Sequence, residues 1–121
     1  MQQHLSFSKI ENELKHKFRK MINGSESTEE VKNNFVYCMQ ELFSNASGGV
    51  VELRFEEIEL VPEENPPFVI SEQIRNGNTF KRLWEDSDLS QIVLRFSELA
   101  SNHYKHLAKN PQKTESKIRI G

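Results

Sequence analysis

The sequence is poor in residues that form covalent cross-links, and it has no long apolar run. Its single cysteine, Cys38, cannot form a disulfide within the chain, so nothing in the composition requires an oxidising compartment. No stretch approaches the ~20 consecutive apolar residues of a membrane-spanning helix. Residues 1–10 lack the basic start and the apolar stretch of a secretory signal. We therefore expect a cytoplasmic protein without a membrane partner.

Sequence motifs for catalysis, metal binding and phosphate binding are also missing. Gly48 and Gly49 precede an alternating segment instead of opening a helix, so they form neither a P-loop nor a dinucleotide fingerprint. His103 and His106 stand three positions apart on a predicted helix, but no second cluster of ligands accompanies them. We therefore expect no metal, no cofactor and no catalytic residue. The alternative is a small enzyme whose site has no sequence signature.

The composition is that of one polar, globular domain. The chain has 121 residues, of which 36% are hydrophobic and 28% are charged. A chain of this length can bury one hydrophobic core but not two. We expect residues 1–110 to form a single globular domain. Residues 111–121 are polar and basic, and we expect a tail there that is either an edge strand or disordered.

Apolar residues recur at intervals of three and four in two neighbouring segments near the start of the chain. This period predicts a first helix after Ser8, which has Glu11 at capping-box spacing. It predicts a second helix after Ser27, which has Glu30 at the same spacing. The short connection between the two helices predicts an antiparallel helical hairpin. Cys38 falls on the apolar stripe of the second helix, so we expect its thiol to be buried and slow to react.

Residues 50–61 change to an alternating pattern, which is typical of a half-buried strand. The alternation slips by one position at Glu56 and Glu57, where a β-bulge would return the later apolar residues to the same face. We therefore expect one bulged strand, with two strands or a helix as the alternatives. The side chains expected on its buried face are those of Val51, Leu53, Phe55, Ile58 and Leu60.

The second half of the chain completes the predicted fold. The proline-rich segment 62–67 predicts an exposed loop, and the apolar run 68–70 predicts a return strand. A short helical stretch then contains Trp84, and a long amphipathic helix reaches about Lys109. We expect Trp84 to plug the core beneath a loop, with a role as an interface anchor as the alternative. Together these elements predict an α+β fold: an N-terminal antiparallel helical hairpin, a small antiparallel β unit of two to three strands and a long C-terminal helix.

Acidic residues are concentrated in the centre of the chain. Residues 50–74 contain seven acidic residues and one basic residue, whereas both ends of the chain are basic. This acidic centre, together with the open edge of a small sheet, favours a non-enzymatic protein-interaction or regulatory module. We expect the partner to be a protein, with a second copy of this chain as a further candidate. The residues expected to bind it are Glu52, Glu57, Glu59, Glu63 and Glu64.

The basic C-terminal helix and tail support an alternative function, that of a nucleic-acid-binding accessory protein. The chain as a whole has a net charge of −2, and no DNA- or RNA-binding fingerprint occurs in it. We therefore favour protein interaction. The basic residues that would contact phosphate groups in the alternative are Arg95, Lys105, Lys109, Lys113 and Lys117.

Overall fold

A computed structural model describes residues 5–109 of the chain, and the predicted tail at 111–121 lies outside them. The elements in the described range are α1 (Ser8–Asn23), α2 (Thr28–Ser47), β1 (Ile58–Leu60), β2 (Phe68–Ile70), α3 (Glu72–Arg75), α4 (Asn78–Glu85) and α5 (Leu89–Lys109). The predicted α+β fold, with its N-terminal helical hairpin, two-stranded antiparallel sheet and long C-terminal helix, is confirmed. None of these helices combines the length and the apolar character that a membrane crossing requires.

Contacts at two levels of the helical hairpin show that α1 and α2 run antiparallel. In the second half of both helices, Lys17 Nζ lies 2.9 Å from Glu41 Oε1. Nearer the connection, Asn34 Nδ2 donates a hydrogen bond to the carbonyl oxygen of Met21 at 3.2 Å. The contact moves later in α2, from Asn34 to Glu41, as it moves earlier in α1, from Met21 to Lys17, and this is the antiparallel arrangement that a short connection requires.

The two helices of the hairpin begin differently. The backbone N–H of Glu30 donates a hydrogen bond to Ser27 Oγ (3.1 Å), so the predicted N-cap of α2 is confirmed. No side chain caps the start of α1, and the capping box predicted from Ser8 and Glu11 is wrong. Glu11 is instead buried and bound by Arg95 of α5. A charged partner from a distant element satisfies this carboxylate better than the local backbone does.

The hydrophobic core lies where α1, α2 and α5 pack together and where β1 covers α2 and α5. Phe18 of α1 and Phe96 of α5 are both buried, and their ring centroids lie 4.9 Å apart. Cys38 lies on the buried side of α2, as predicted. These three helices form the frame that positions the sheet and α4.

The chain centre, residues 50–61, adopts none of the three structures considered from the sequence. Residues 51–54 belong to no helix or strand, Phe55–Glu57 form one turn of 3-10 helix, and β1 has only three residues. The predicted bulged strand is therefore wrong. The turn, rather than a bulge, produces the one-position slip in the alternation, because it rotates the chain before β1 begins.

Four of the five side chains expected on the buried face of this segment are buried, and Phe55 is the exception. The Phe55 side chain is 43% exposed, because the 3-10 turn directs it away from the core. It lies against the ring of Tyr37 on the surface of α2. The buried four are Val51, Leu53, Ile58 and Leu60.

The small sheet has one face on the core and one face in solvent. β1 and β2 pair antiparallel with Glu59 opposite Val69, and both of these side chains are exposed. Their neighbours Ile58, Leu60 and Ile70 are buried. Since the sheet has two strands, one edge of β2 pairs with no other strand in the described part of the chain.

Candidate functional site

The glutamates predicted to bind a partner do not all line one groove among the described residues. Glu59 is exposed on β1, and its carboxylate lies 3.5 Å from Lys32 Nζ of α2. Glu57 is half-buried, and its Oε1 accepts a hydrogen bond from the backbone N–H of Arg54 at 2.8 Å. Glu57 therefore stabilises the 3-10 turn, whereas Glu59 is available at the surface.

Glu63 and Glu64 line a different groove from that of the Glu59–Lys32 pair. They are exposed on the loop between β1 and β2, and they line a groove of about 610 Å³ with Glu98 and Lys105 of α5. Glu52 is exposed on the segment before the 3-10 turn. The fold therefore places Glu59 and the pair Glu63 and Glu64 of the acidic centre in two different grooves.

The sequence analysis missed an exposed pair of aromatic rings. The ring centroids of Tyr37 and Phe55 lie 5.6 Å apart, and the rings are tilted by 55°. Tyr37 is 50% exposed. The only sequence signal for it is its position: Tyr37 stands between Val36 and Cys38, and falls off the apolar stripe of α2. Exposed large aromatic side chains are typical of protein interfaces.

Acidic side chains lie beside one ring of this pair, that of Phe55. A groove of about 320 Å³ runs beside Phe55, with Val36 and Ile58 among its apolar lining residues. Carboxylates from both α2 and the chain centre line the same groove. We call the ring pair and these carboxylates the acidic–aromatic surface, which consists of Tyr37, Phe55, Glu29, Glu56 and Glu59.

Another groove, separate from the two described above, lies along β2 and α4, and we call it the β2 groove. It has a volume of about 570 Å³ and an aromatic lining formed by Phe68, Phe80 and Trp84. Trp84 stacks on Phe80 with ring centroids 5.1 Å apart, and on the buried Phe43 at 6.4 Å. Trp84 is only partly buried, so it both packs against the core and presents part of its ring to the groove.

The only thiol of the chain, Cys38, is enclosed by the helical hairpin and is 4% exposed. Burial, and to a smaller extent the charge of Glu41, raises the pKa of this thiol from its ordinary value of 9.0 to about 12. The thiol is therefore protonated at neutral pH and lacks the thiolate character that a nucleophile requires.

We expect Cys38 in the native protein to react with a thiol reagent at pH 7.5 much more slowly than in denatured protein, because both burial and protonation protect it. Absorbance-detected labelling with and without denaturant measures the ratio of the two rates.

The Cys38 thiol also makes stability depend on pH. The unfolded chain loses the thiol proton near pH 9, whereas the folded chain holds it to about 12. Ionisation of Cys38 should therefore favour unfolding as the pH rises through this interval, and Cys38→Ala should remove that contribution. Complete native labelling within seconds would contradict the assignment.

The histidine pair of α5 lies at its surface. The ring centroids of His103 and His106 are 6.2 Å apart, and His103 Nε2 lies 3.4 Å from the carbonyl oxygen of Ser25. Among residues 5–109, no group of three or more histidine, cysteine, aspartate or glutamate side chains has an arrangement that could hold a metal ion. His103 provides a contact between α5 and the hairpin connection at Ser25.

The basic residues considered for nucleic-acid binding have different environments. Arg95 donates two hydrogen bonds to the carboxylate of Glu11, from Nε at 2.7 Å and from a terminal nitrogen at 2.8 Å. Its charge is therefore compensated within the fold. Lys105 lines the groove that also contains Glu63, Glu64 and Glu98, and Lys109 is exposed at the end of α5. The other two, Lys113 and Lys117, lie outside the described residues.

Comparison with known protein families, with curated protein sequences and with solved structures finds no significant match to this chain.

Proposed function

We propose that this protein is a non-enzymatic interaction module, and that its acidic–aromatic surface binds a basic segment of a partner protein. The observation that carries this proposal is the exposed ring pair of Tyr37 and Phe55, which are 50% and 43% exposed. If a partner buries these two large rings, the removal of their apolar surface from water contributes favourably to the free energy of binding.

The arrangement of the two rings suits an interface anchor. Aromatic side chains dominate the binding energy of protein interfaces, since they bury a large area and have few rotatable bonds. Tyr37 and Phe55 already contact each other, with centroids 5.6 Å apart. Their mutual packing restricts both side chains before binding, so little conformational entropy is lost when a partner covers them.

The charged side chains of the groove beside Phe55 favour a basic partner. Glu29, Glu56 and Glu59 line the adjacent groove, and Lys32 is the one basic side chain among its described lining residues. Lys32 contacts Glu59 at 3.5 Å, which leaves the groove with a net negative charge. An arginine or lysine of the partner could pair with these carboxylates, and an arginine could also stack on the exposed rings. Such complementarity raises the association rate and excludes acidic partners.

The proposal is tested by selecting a library of random linear peptides on the immobilised protein and measuring the affinity of the selected peptides by calorimetry. We expect the selected group to include peptides rich in arginine and lysine. Phe55→Ala should weaken their binding about 30-fold, since an interface anchor contributes about 2 kcal/mol. The joint reversal Glu56→Lys and Glu59→Lys should weaken the same peptides and reduce the salt dependence of binding.

The joint reversal Glu63→Lys and Glu64→Lys is the matched control, because it reverses two exposed carboxylates that do not line this groove. It should leave the affinity for basic peptides nearly unchanged. Thermal unfolding of each variant distinguishes a loss of binding from a loss of structure. Basic peptides that bind the Phe55→Ala variant as tightly as the wild type, or a selection without basic peptides, would contradict the proposal.

A further inference from the structure

The open edge of β2 presents backbone hydrogen-bonding groups to the β2 groove. Val61 N donates to the carbonyl oxygen of Pro67, and Ser71 N donates to that of Glu57, each at 2.8 Å. In an antiparallel ladder, hydrogen-bonded pairs alternate with pairs whose backbone groups point outward. Glu59 and Val69 therefore form the intervening hydrogen-bonded pair, and the backbone groups of the β2 residues on either side of Val69 point to the open edge.

The outward-pointing groups of Phe68 and Ile70 are not equivalent. Arg75 Nε donates a hydrogen bond to the carbonyl oxygen of Ile70 at 3.0 Å, so this acceptor is already used. The N–H and the carbonyl of Phe68 have no partner among the described residues. An incoming extended chain can therefore pair with both groups of Phe68, and Arg75 limits the pairing to this short register.

The aromatic lining of the β2 groove provides a pocket beside this edge. Phe68 meets Trp84 edge to face at 6.2 Å, and Trp84 stacks on Phe80. The groove is open and has a volume of about 570 Å³, which is enough to seat an apolar side chain of a peptide. Main-chain pairing combined with a side-chain pocket is the usual basis of recognition when a strand is added to a sheet.

The charges in the β2 groove determine what else the occupant carries. Arg75 and Lys81 line it, and neither has an ion-pair partner among the described residues. Glu85 is the one acidic side chain among the described lining residues. Arg75 uses Nε for Ile70 and keeps its two terminal nitrogens available, a geometry that suits a carboxylate.

We propose that the β2 groove binds an extended, acidic segment of a partner protein by strand addition. The main chain of this segment pairs with Phe68, an apolar side chain rests on Trp84 and Phe80, and a carboxylate binds Arg75 and Lys81. The site shares no lining residue with the groove of the acidic–aromatic surface, and its occupant has the opposite charge. Either proposal can therefore be confirmed or contradicted independently of the other.

The same random peptide library tests this site with different variants. We expect a second group of selected peptides that contain an apolar residue close to aspartate or glutamate. Lys81→Gln and Arg75→Gln should each weaken this group about tenfold, which is the effect of losing one hydrogen bond to a charged group. Arg82→Gln is the matched control for Lys81→Gln, since Arg82 is also exposed on α4 but does not line the groove.

Strand addition makes a further prediction that a simple charge contact does not. N-methylation of the peptide at successive backbone positions should abolish binding at the position that pairs with Phe68 and change little at the next one. Successive backbone N–H groups of a strand point to opposite edges, so only every second one faces β2. Uniform tolerance of N-methylation would overturn strand addition. The absence of acidic peptides from the selection, or equal effects of Lys81→Gln and Arg82→Gln, would overturn the site. Phe55→Ala should not affect these peptides.

Discussion

Phe96→Ala is expected to lower the free energy of unfolding by about 3–5 kcal/mol, which is a large part of the stability of a domain of this size. Phe96 is 2% exposed and its ring lies 4.9 Å from that of Phe18, which is fully buried. Truncation removes this contact and leaves a cavity between α1 and α5 that the helices fill only in part. Urea unfolding followed by circular dichroism measures the change.

Phe55→Ala is the control for this prediction, since it removes the same side chain from an exposed position. It should change the free energy of unfolding by no more than about 1 kcal/mol, because Phe55 is 43% exposed and packs against the exposed Tyr37 at the surface. Equal losses for the two variants would mean that the assignment of Phe55 to the surface, or of Phe96 to the core, is wrong.

Leu60→Ala is expected to lower the free energy of unfolding by about 2–5 kcal/mol. Leu60 is fully buried in β1, and it belongs to the core that joins β1 to α2 and α5. Its loss should loosen the sheet as well as lower stability, so hydrogen exchange of the amides that join β1 and β2 should accelerate. Val69→Ala in β2 is the control, because its side chain is exposed and should cost little. A larger effect for Val69→Ala would show that the sheet faces the core with its other side.

The helices could be predicted from the sequence because their determinants are local. The spacing of apolar residues identified α1, α2 and α5, and Ser27 identified the start of α2. The start of α1 was also predicted to within one residue, but its capping was not, because Glu11 is held by Arg95, which is far away in sequence. Local patterns do not reveal such pairs.

In the chain centre, residues 50–61, the alternation of apolar and polar residues predicts burial but not strand structure. Val51, Leu53, Ile58 and Leu60 are buried as their pattern predicts, although only the last two lie in a strand. A segment can bury alternate side chains against helices without pairing in a sheet. The turn at Phe55–Glu57 satisfies the backbone N–H of Arg54 through Glu57, and this bond gives no separate sequence signal.

The candidate surfaces could be predicted only in part. The acidic centre was visible in the sequence, but the placement of Glu59 in one groove and of Glu63 and Glu64 in another depends on the fold. The ring pair required both the exposure of Tyr37 and the outward position of Phe55, and the alternating pattern predicted the opposite for Phe55. Trp84 packs on Phe43 and also lines the β2 groove, so the structure shows its core contact, and its role as an interface anchor stays a prediction.

A nuclear magnetic resonance titration of the 15N-labelled protein with a selected basic peptide tests the central claim most directly. If the acidic–aromatic surface binds the partner, the largest shifts should fall on Tyr37, Phe55, Glu56 and Glu59, and Phe55→Ala should strongly reduce the shifts at a peptide concentration close to the wild-type Kd. Shifts confined to the groove that contains Glu63, Glu64 and Lys105 would contradict the claim, as would unchanged shifts in the Phe55→Ala variant.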